Sequence, residues 1–331
     1  MSEREEPLKP LRTWSHLAEK RRRPSEYEIV STNLIYNLDP KMPFELGPNI
    51  PMSKWFRKYR FDSPLTSDLN WEDFRDPDEM TYRGYNILQD GQETYVEGLL
   101  DEFNDLDHDR GLESAWVDEL QHLYTPSRYL IHTAQMASHY LVQIVPSSTI
   151  RSCAIYQAAD QLRAMSHVSY RTAELRQTYP EREFGSAERR IWEQDSAWDG
   201  FRELMENVLV TYDWGEGLIV LNVVAKPAIE ECIHRQLAAT ARRHDDGLLA
   251  MISDSIFKDV QRSRTWTAAV VRFAASDPNN MTVIRDWVKK WMPLAEAAIG
   301  GYCGALPDSP EAADDVRVAM NSWMRSIDVA S

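Results

Sequence analysis

Two stretches of the chain place a carboxylate three residues before an imidazole: Glu119-x-x-His122 and Glu231-x-x-His234. On a helix that spacing puts both side chains on one face, so one metal ion can take an oxygen and a nitrogen from neighbouring turns. Helical bundles that hold two iron ions use this unit on two helices and add one glutamate from each of two more. Glu97 and one of Glu203, Glu206 or Glu216 could complete such an inventory. The chemistry would be that of a self-contained di-iron oxidase.

The elements needed to position these groups argue against it. A long helical segment is expected from Gly200 to about Arg243, weakened at Gly215 and Gly217 and kinked at Pro227. Glu203 and Glu231 would then lie ~42 Å apart along one axis, and Glu216 and Glu231 ~22 Å apart. Glu230-Glu231-Cys232-Ile233-His234-Arg235 reads as a largely solvated helix end. The most apolar stretch, Tyr129 to Leu175, predicts two helices broken at Pro146-Ser147-Ser148, and it lacks the motif. A ligand-bearing core helix often reads Asp-Glu-x-Arg-His; here Asp160-Gln161-Leu162-Arg163-Ala164 has Gln161 in the Glu slot and Ala164 in the His slot. His132, His139 and His167 have no Glu three residues earlier. The two intact pairs are therefore expected to be surface coincidences in a chain with 52 acidic residues. No catalytic, cofactor-binding or metal-ligating residue is expected in this chain. There is also no Gly-rich phosphate loop, Gly-x-Ser-x-Gly elbow, Cys-x-x-Cys or His-Glu-x-x-His.

The 331 residues are 43% hydrophobic and carry a net charge of −15, which repels a polyanion over most of the surface. No apolar run reaches the ~18 residues of a membrane span. The polar start Met-Ser-Glu-Arg-Glu-Glu predicts no secretory signal. Cys153, Cys232 and Cys303 are scattered, as expected of reduced thiols in a cytoplasm. Nine of the 17 prolines fall between Pro7 and Pro77, where long helices are excluded. The same region carries Trp14, Tyr27, Tyr36, Phe44, Trp55, Phe56, Tyr59, Phe61, Trp71 and Phe74, too aromatic for a disordered tail. Residues 1–90 are expected to form an extended arm along a surface, with Lys20-Arg21-Arg22-Arg23 its one strong basic run.

From Gln92 on, the apolar spacing predicts helices with no period-two strand pattern. The expected spans are 92–107, 112–124, about 126–144 behind a Thr125-Pro126 cap, 148–177, 200–243, 247–275, 281–303 and 310–327. Asp213-Trp214-Gly215-Glu216 is unusual inside a helix and is read as a tight helix crossing. Arg163, Arg171 and Glu174 are expected to form buried pairs. The fold class is all-α, a ferritin-like bundle over 91–306 with a C-terminal helix or tail over 307–331.

The chain resembles the β subunit of the hydroxylase of bacterial multicomponent monooxygenases, in the toluene/xylene, isoprene and alkene group. The resemblance is carried by Leu11-Arg12-Thr13-Trp14-Ser15-His16-Leu17-Ala18, Arg23-Pro24-Ser25-Glu26-Tyr27, Asp76-Pro77-Asp78 and Tyr82-Arg83-Gly84-Tyr85-Asn86. It continues through Gln89-Asp90-Gly91-Gln92-Glu93-Thr94-Tyr95-Val96, Tyr124-Thr125-Pro126-Ser127-Arg128-Tyr129-Leu130, Tyr170-Arg171-Thr172, Asp213-Trp214-Gly215-Glu216 and Lys226-Pro227. It implies a ferritin-like, ribonucleotide-reductase-like subunit without iron of its own, wrapped by its arm onto partners. The di-iron centre and substrate pocket would belong to an α subunit, joined by a γ subunit in a dimer of αβγ protomers. An effector protein, a Rieske-type ferredoxin with its Fe–S cluster and an FAD-containing reductase fed by NADH would complete the system. The reaction would insert one oxygen atom of O2 into an alkene or an aromatic hydrocarbon such as toluene, with an alkene such as isoprene preferred. Asp259-Val260-Gln261-Arg262-Ser263, the second expected ligand helix, also lacks Glu-x-x-His.

Overall fold

The computed structural model describes residues 22–35, 49–65 and 69–329. Leu11–Ala18, Trp14, Lys20, Arg21, Tyr36 and Phe44, which entered the reading above, lie outside the described residues. The described chain is helical, with no strand among its elements. In order these are α1 (Glu26–Ser31), α2 (Pro51–Phe56), α3 (Tyr82–Asp105), α4 (Ser114–Glu119), α5 (Ser127–Ile144), α6 (Ser148–Thr178), α7 (Glu188–Gln194) and α8 (Ser196–Leu209). A continuous rod follows: α9 (Trp214–Ile219), a π turn (Val220–Ala225), α10 (Lys226–Glu231), a second π turn (Cys232–Gln236) and α11 (Leu237–Arg243). Last come α12 (Gly247–Ala274), α13 (Pro278–Ala305) and α14 (Ala312–Ser326).

Side chains that accept orphan backbone N–H groups set many of the helix starts. Thr81 opens α3, Ser147 α6, Asp195 α8, Asp213 α9, Asp246 α12 and Asp277 α13. Each such cap contributes about 1 kcal/mol. Several expectations change here. α3 begins at Tyr82, ten residues before the expected start at Gln92. Thr125 does not cap α5; the π turn Leu120–Tyr124 leads straight into it, and the Thr125 hydroxyl bonds back to the Gln121 carbonyl.

The expected Gly200–Arg243 segment is two elements. α8 ends at Leu209, and the Asp213 carboxylate accepts from the Glu216 N–H at 2.9 Å to start a new helix. Asp213-Trp214-Gly215-Glu216 is thus a helix start rather than a mid-helix crossing. Gly215 is small because a Cβ there would sit 2.8 Å from the Leu65 side chain. The close backbone approach lies instead at Gly200, where a Cβ would meet the Ala298 Cα at 2.5 Å as α8 packs on α13. Pro227 does not interrupt the rod. It follows directly on the π turn Val220–Ala225, whose wider winding accommodates a residue that lacks the N–H and crowds the preceding turn.

The described arm segments lie on the chain's own bundle. The Tyr27 hydroxyl accepts from the Asp76 N–H, and the Ser148 hydroxyl accepts from Leu34 N–H at 2.8 Å. Trp55 and Tyr59 pack on Tyr212, and the Trp55 indole donates to the Tyr140 hydroxyl. Arg60 is 3% exposed and donates to the Gln143 and Ile144 carbonyls, so a cation closes the C-terminus of α5. The core is one continuous apolar cluster, and the α5–α6 hairpin is among its best-packed units. No described helix is long and apolar enough to cross a membrane.

Candidate functional site

Five elements send polar side chains into the interior at the level of Asp160: α3, α5, α6, the α9–α11 rod and α12. The outer part of this layer is ionic. Asp160 Oδ1 accepts from the Tyr85 hydroxyl at 2.9 Å, Gln89 Nε2 at 3.0 Å and Arg262 Nη2 at 2.6 Å. Asp259 Oδ1 accepts from Gln89 Nε2 at 2.8 Å and Gln92 Nε2 at 3.0 Å, and Asp259 Oδ2 from Arg163 Nη1 at 2.9 Å. The two helices therefore exchange ion pairs, Arg262 of α12 with Asp160 of α6 and Arg163 of α6 with Asp259 of α12. Arg163 also pairs with Glu93, whose carboxylate reaches His167 Nε2 at 3.1 Å.

Burial, reinforced by the neighbouring Asp259 carboxylate, pushes the Asp160 carboxyl up to about 7, with Arg262 working the other way. Burial also favours the charged form of neither His167 nor Glu93. It lowers His167, with the Arg163 guanidinium adding to the effect, while His167 and Arg163 outweigh it at Glu93 and bring that carboxyl below its ordinary value.

The inner part of the layer is neutral. Gln157 Nε2 donates to Asn222 Oδ1 and to Ser138 Oγ, both at 2.9 Å. Ser138 Oγ donates to Gln161 Oε1 at 2.8 Å, and Ser263 Oγ to Gln157 Oε1 at 2.8 Å. On the rod, Lys226 Nζ donates to Glu230 Oε1 at 2.7 Å, and Arg264 Nη2 reaches Glu230 at 3.2 Å and Glu231 at 2.9 Å. Burial works against ionised Glu230, but Lys226 and Arg264 overcome it and lower its carboxyl. Burial drives His234 down to about 4, so its ring is neutral at pH 7. A void of about 40 Å³ remains among Asp160, Gln161, Ala164, Lys226, Glu230 and His234.

The residues singled out as possible ligands are dispersed. Glu97, Glu203 and Glu206 are exposed. Glu216 turns to Lys290 and to the Trp291 indole. Glu119 and His122 are about one-third exposed, and His122 Nε2 is taken by Asp195 at 2.7 Å. The 230–235 segment is not a solvated end: Glu230, Glu231, Cys232, Ile233 and His234 are all buried, because the segment lies mid-rod. Its charges are tolerated through Lys226, four residues before Glu230 on the same rod, and through Arg264 of α12, a partner that local sequence cannot assign. Gln161 and Ala164 face the interior, Gln161 bonded to Ser138 and Ala164 packed in the core.

A di-iron pair does not fit these residues. The slots corresponding to Glu and His hold Gln161 and Ala164 on α6, and Val260 and Ser263 on α12. The carboxylates that remain are held by guanidinium and ammonium groups. Among the described residues no three His, Cys, Asp or Glu side chains converge as a cation-binding set. The sequence did carry a signal for the crossed pairs, the same Asp-x-x-Arg spacing at Asp160–Arg163 and Asp259–Arg262. Fold and site together define a ferritin-like helical subunit with an interior layer of crossed ion pairs.

Comparison with known proteins agrees. The model of the methane/phenol/alkene hydroxylase family matches residues 55–278. The chain is 47% identical over 302 residues to the β subunit of the hydroxylase component of the toluene-4-monooxygenase system of Ectopseudomonas mendocina, covering 91% of this chain and 92% of that one. It is 21% identical to the small subunit of the propane 2-monooxygenase hydroxylase of Mycolicibacterium smegmatis, over 88% and 80% of the two chains. Among solved structures, a chain of toluene 4-monooxygenase with toluene in its resting active site superposes with a TM-score of 0.87 at 47% identity, over 91% of this chain and 99% of that one. Phenol hydroxylase from Pseudomonas sp. OX1 gives 0.83 at 17% identity, over 99% and 98%, which is a likeness of fold. The chain belongs to the methane/phenol/alkene hydroxylase family, as a β subunit of a multicomponent monooxygenase hydroxylase. It is thus part of an oxidising enzyme complex.

Proposed function

We propose that this subunit is non-catalytic: it scaffolds and dimerises an iron-bearing α subunit during NADH- and O2-dependent oxidation of an aromatic hydrocarbon. The crossed Asp160–Arg262 and Asp259–Arg163 pairs carry the reading, because they put fixed protein cations where a ligand layer would meet its metal. The self-contained oxidase built on Glu119, His122, Glu231 and His234 is disfavoured, since Asp195 and Arg264 already engage His122 and Glu231. The di-iron centre then sits in the α subunit, with a γ subunit completing each protomer. The effector protein, Rieske-type ferredoxin and FAD-containing reductase supply coupling and electrons, all in the cytoplasm. The 47% identical relative is named for toluene, which shifts the preferred substrate from isoprene to toluene.

Co-expression with the α and γ subunits, followed by metal analysis of the complex and of the separated β chain, tests this. Iron is expected in the complex and not in the isolated chain. In the complex, His122→Ala and His234→Gln are expected to leave iron content and toluene turnover within about twofold, as for residues that touch no reacting atom. Iron stoichiometric with the β chain, or iron lost with either histidine, refutes the non-catalytic role.

The arm reading also sharpens. Because residues 49–65 pack on this chain's own bundle, the partner contacts proposed for the 1–90 arm are assigned to the rest of it. A chain starting at residue 22 should keep its thermal transition and lose co-elution with the α subunit on size exclusion. Unchanged co-elution counts against the wrapping arm.

A further inference from the structure

Two of the three thiols, all free, meet inside the bundle. Cys232 begins the second π turn of the rod, and Cys303 lies in the last turns of α13. They are 71 positions apart in sequence, yet their sulfurs are 3.6 Å apart. Their surroundings are unequal. Cys232 is fully buried at 0% exposure, and burial pushes its thiol far up. Cys303 is 3% exposed and lines an open cleft of about 480 Å³ with Gly300, Gly304, Asp308, Ser309 and Arg317. Neither glycine carries a side chain to cover the cleft floor, and a Cβ at either would meet nothing within 4 Å. Cys153 is buried elsewhere, beside Asp76, with no second cysteine near it.

We propose that Cys232 and Cys303 are an oxidative modification site: a dithiol that hydrogen peroxide converts to an intramolecular disulfide tying the rod to α13. Small peroxide reaches Cys303 through the cleft. The Cys303 thiolate attacks one peroxide oxygen, the O–O bond breaks, and hydroxide leaves, giving the sulfenic acid. Cys232 then attacks that sulfur; the S–O bond breaks, the S–S bond forms, and the hydroxyl departs with the Cys232 proton as water. The net change is two thiols and one H2O2 to one disulfide and two waters. The sulfurs already touch, so closing the bond asks for a movement of under 2 Å against the ~2.05 Å length of a disulfide. The raised Cys232 thiol makes the second step slow at neutral pH and faster as pH rises, because the thiolate is the attacking species. A dithiol reductant reverses it.

The test uses the full chain under native conditions. It is treated with hydrogen peroxide, quenched, alkylated and mapped by mass spectrometry. The expected product is 2 Da lighter, retains one alkylatable thiol per chain, assigned to Cys153, and yields a Cys232–Cys303 linked peptide. Cys153→Ser should oxidise like the parent, and Cys303→Ser should form no intramolecular disulfide. In urea the same chain should give a mixture of pairings, whereas the folded chain should favour Cys232–Cys303 by at least about tenfold over pairings that involve Cys153. Three alkylatable thiols after treatment of the folded chain, or a native linkage through Cys153, overturns the proposal.

Discussion

Arg262→Met is expected to cost about 3–5 kcal/mol of folding stability at neutral pH, the penalty of stranding buried charge when one partner of a buried pair is removed. Arg262 donates to both Asp160 and Asp259, and only about one-eighth of its side chain is exposed. Without it, Tyr85, Gln89 and Gln92 remain as neutral donors, and Arg163 is the one remaining cation hydrogen-bonded to Asp259. The loss should depend on pH with a definite sign. Asp160 is raised from 3.8 to about 7 in the folded protein, so between these values the native state binds more protons than the unfolded one. Stability associated with this group is fully present below about 4, falls as pH rises, and levels off above about 7. Removing Arg262, which holds the carboxyl down, extends that window upward. Urea denaturation at pH 7.5 and pH 5 should therefore show a larger deficit for Arg262→Met at the higher pH. A deficit below about 1 kcal/mol that ignores pH would mean the neutral donors suffice, and that the ion-pair account of this layer is wrong.

Arg171→Met should also be severe, for a reason located at the end of the bundle. Arg171 is 3% exposed and holds both oxygens of Asp109, at 2.7 and 3.0 Å, as well as Glu174. Burial acts against the charged guanidinium, yet these carboxylates, with Asp246 nearby, raise it above its ordinary value. The substitution leaves two carboxylates facing a cleft of about 280 Å³, whose solvent softens the penalty to about 3 kcal/mol. The 3-10 turn His108–Gly111 is fixed to α6 through Asp109. Amide exchange should therefore accelerate there before it does in α6. Adding Asp109→Asn to Arg171→Met should recover part of the loss, because a neutral amide needs no cation. A double variant no more stable than Arg171→Met would show that Asp109 was never the stranded charge.

What the sequence determined by itself is local. The Thr81, Ser147, Asp246 and Asp277 caps, the proline-rich start and the four-residue apolar spacing fix where many helices lie, since each signal acts within a turn or two. Asp213 with Glu216 was such a signal as well. Gly215 and Gly217 instead read as weak points inside one long helix, and the Thr81 cap likewise lies ahead of the start expected at Gln92. That Gln161 and Ala164 are neither carboxylate nor imidazole is equally legible, because it is a matter of residue type.

Only tertiary structure decided which charges became interior. Glu230 and Glu231 look solvated in one dimension. They are buried because Arg264, more than 30 positions later, and Lys226 on the same rod meet them. Asp160 and Asp259 lie 99 positions apart in the numbering of the chain, and their crossed pairing with Arg262 and Arg163 depends on the register of α6 against α12. An isolated Asp-x-x-Arg turn would favour pairing within its own helix; packing supplies the exchange. The Cys232–Cys303 contact has the same origin, since the distance between two sulfurs on separate helices is set by how the rod lies on α13 and not by either local sequence.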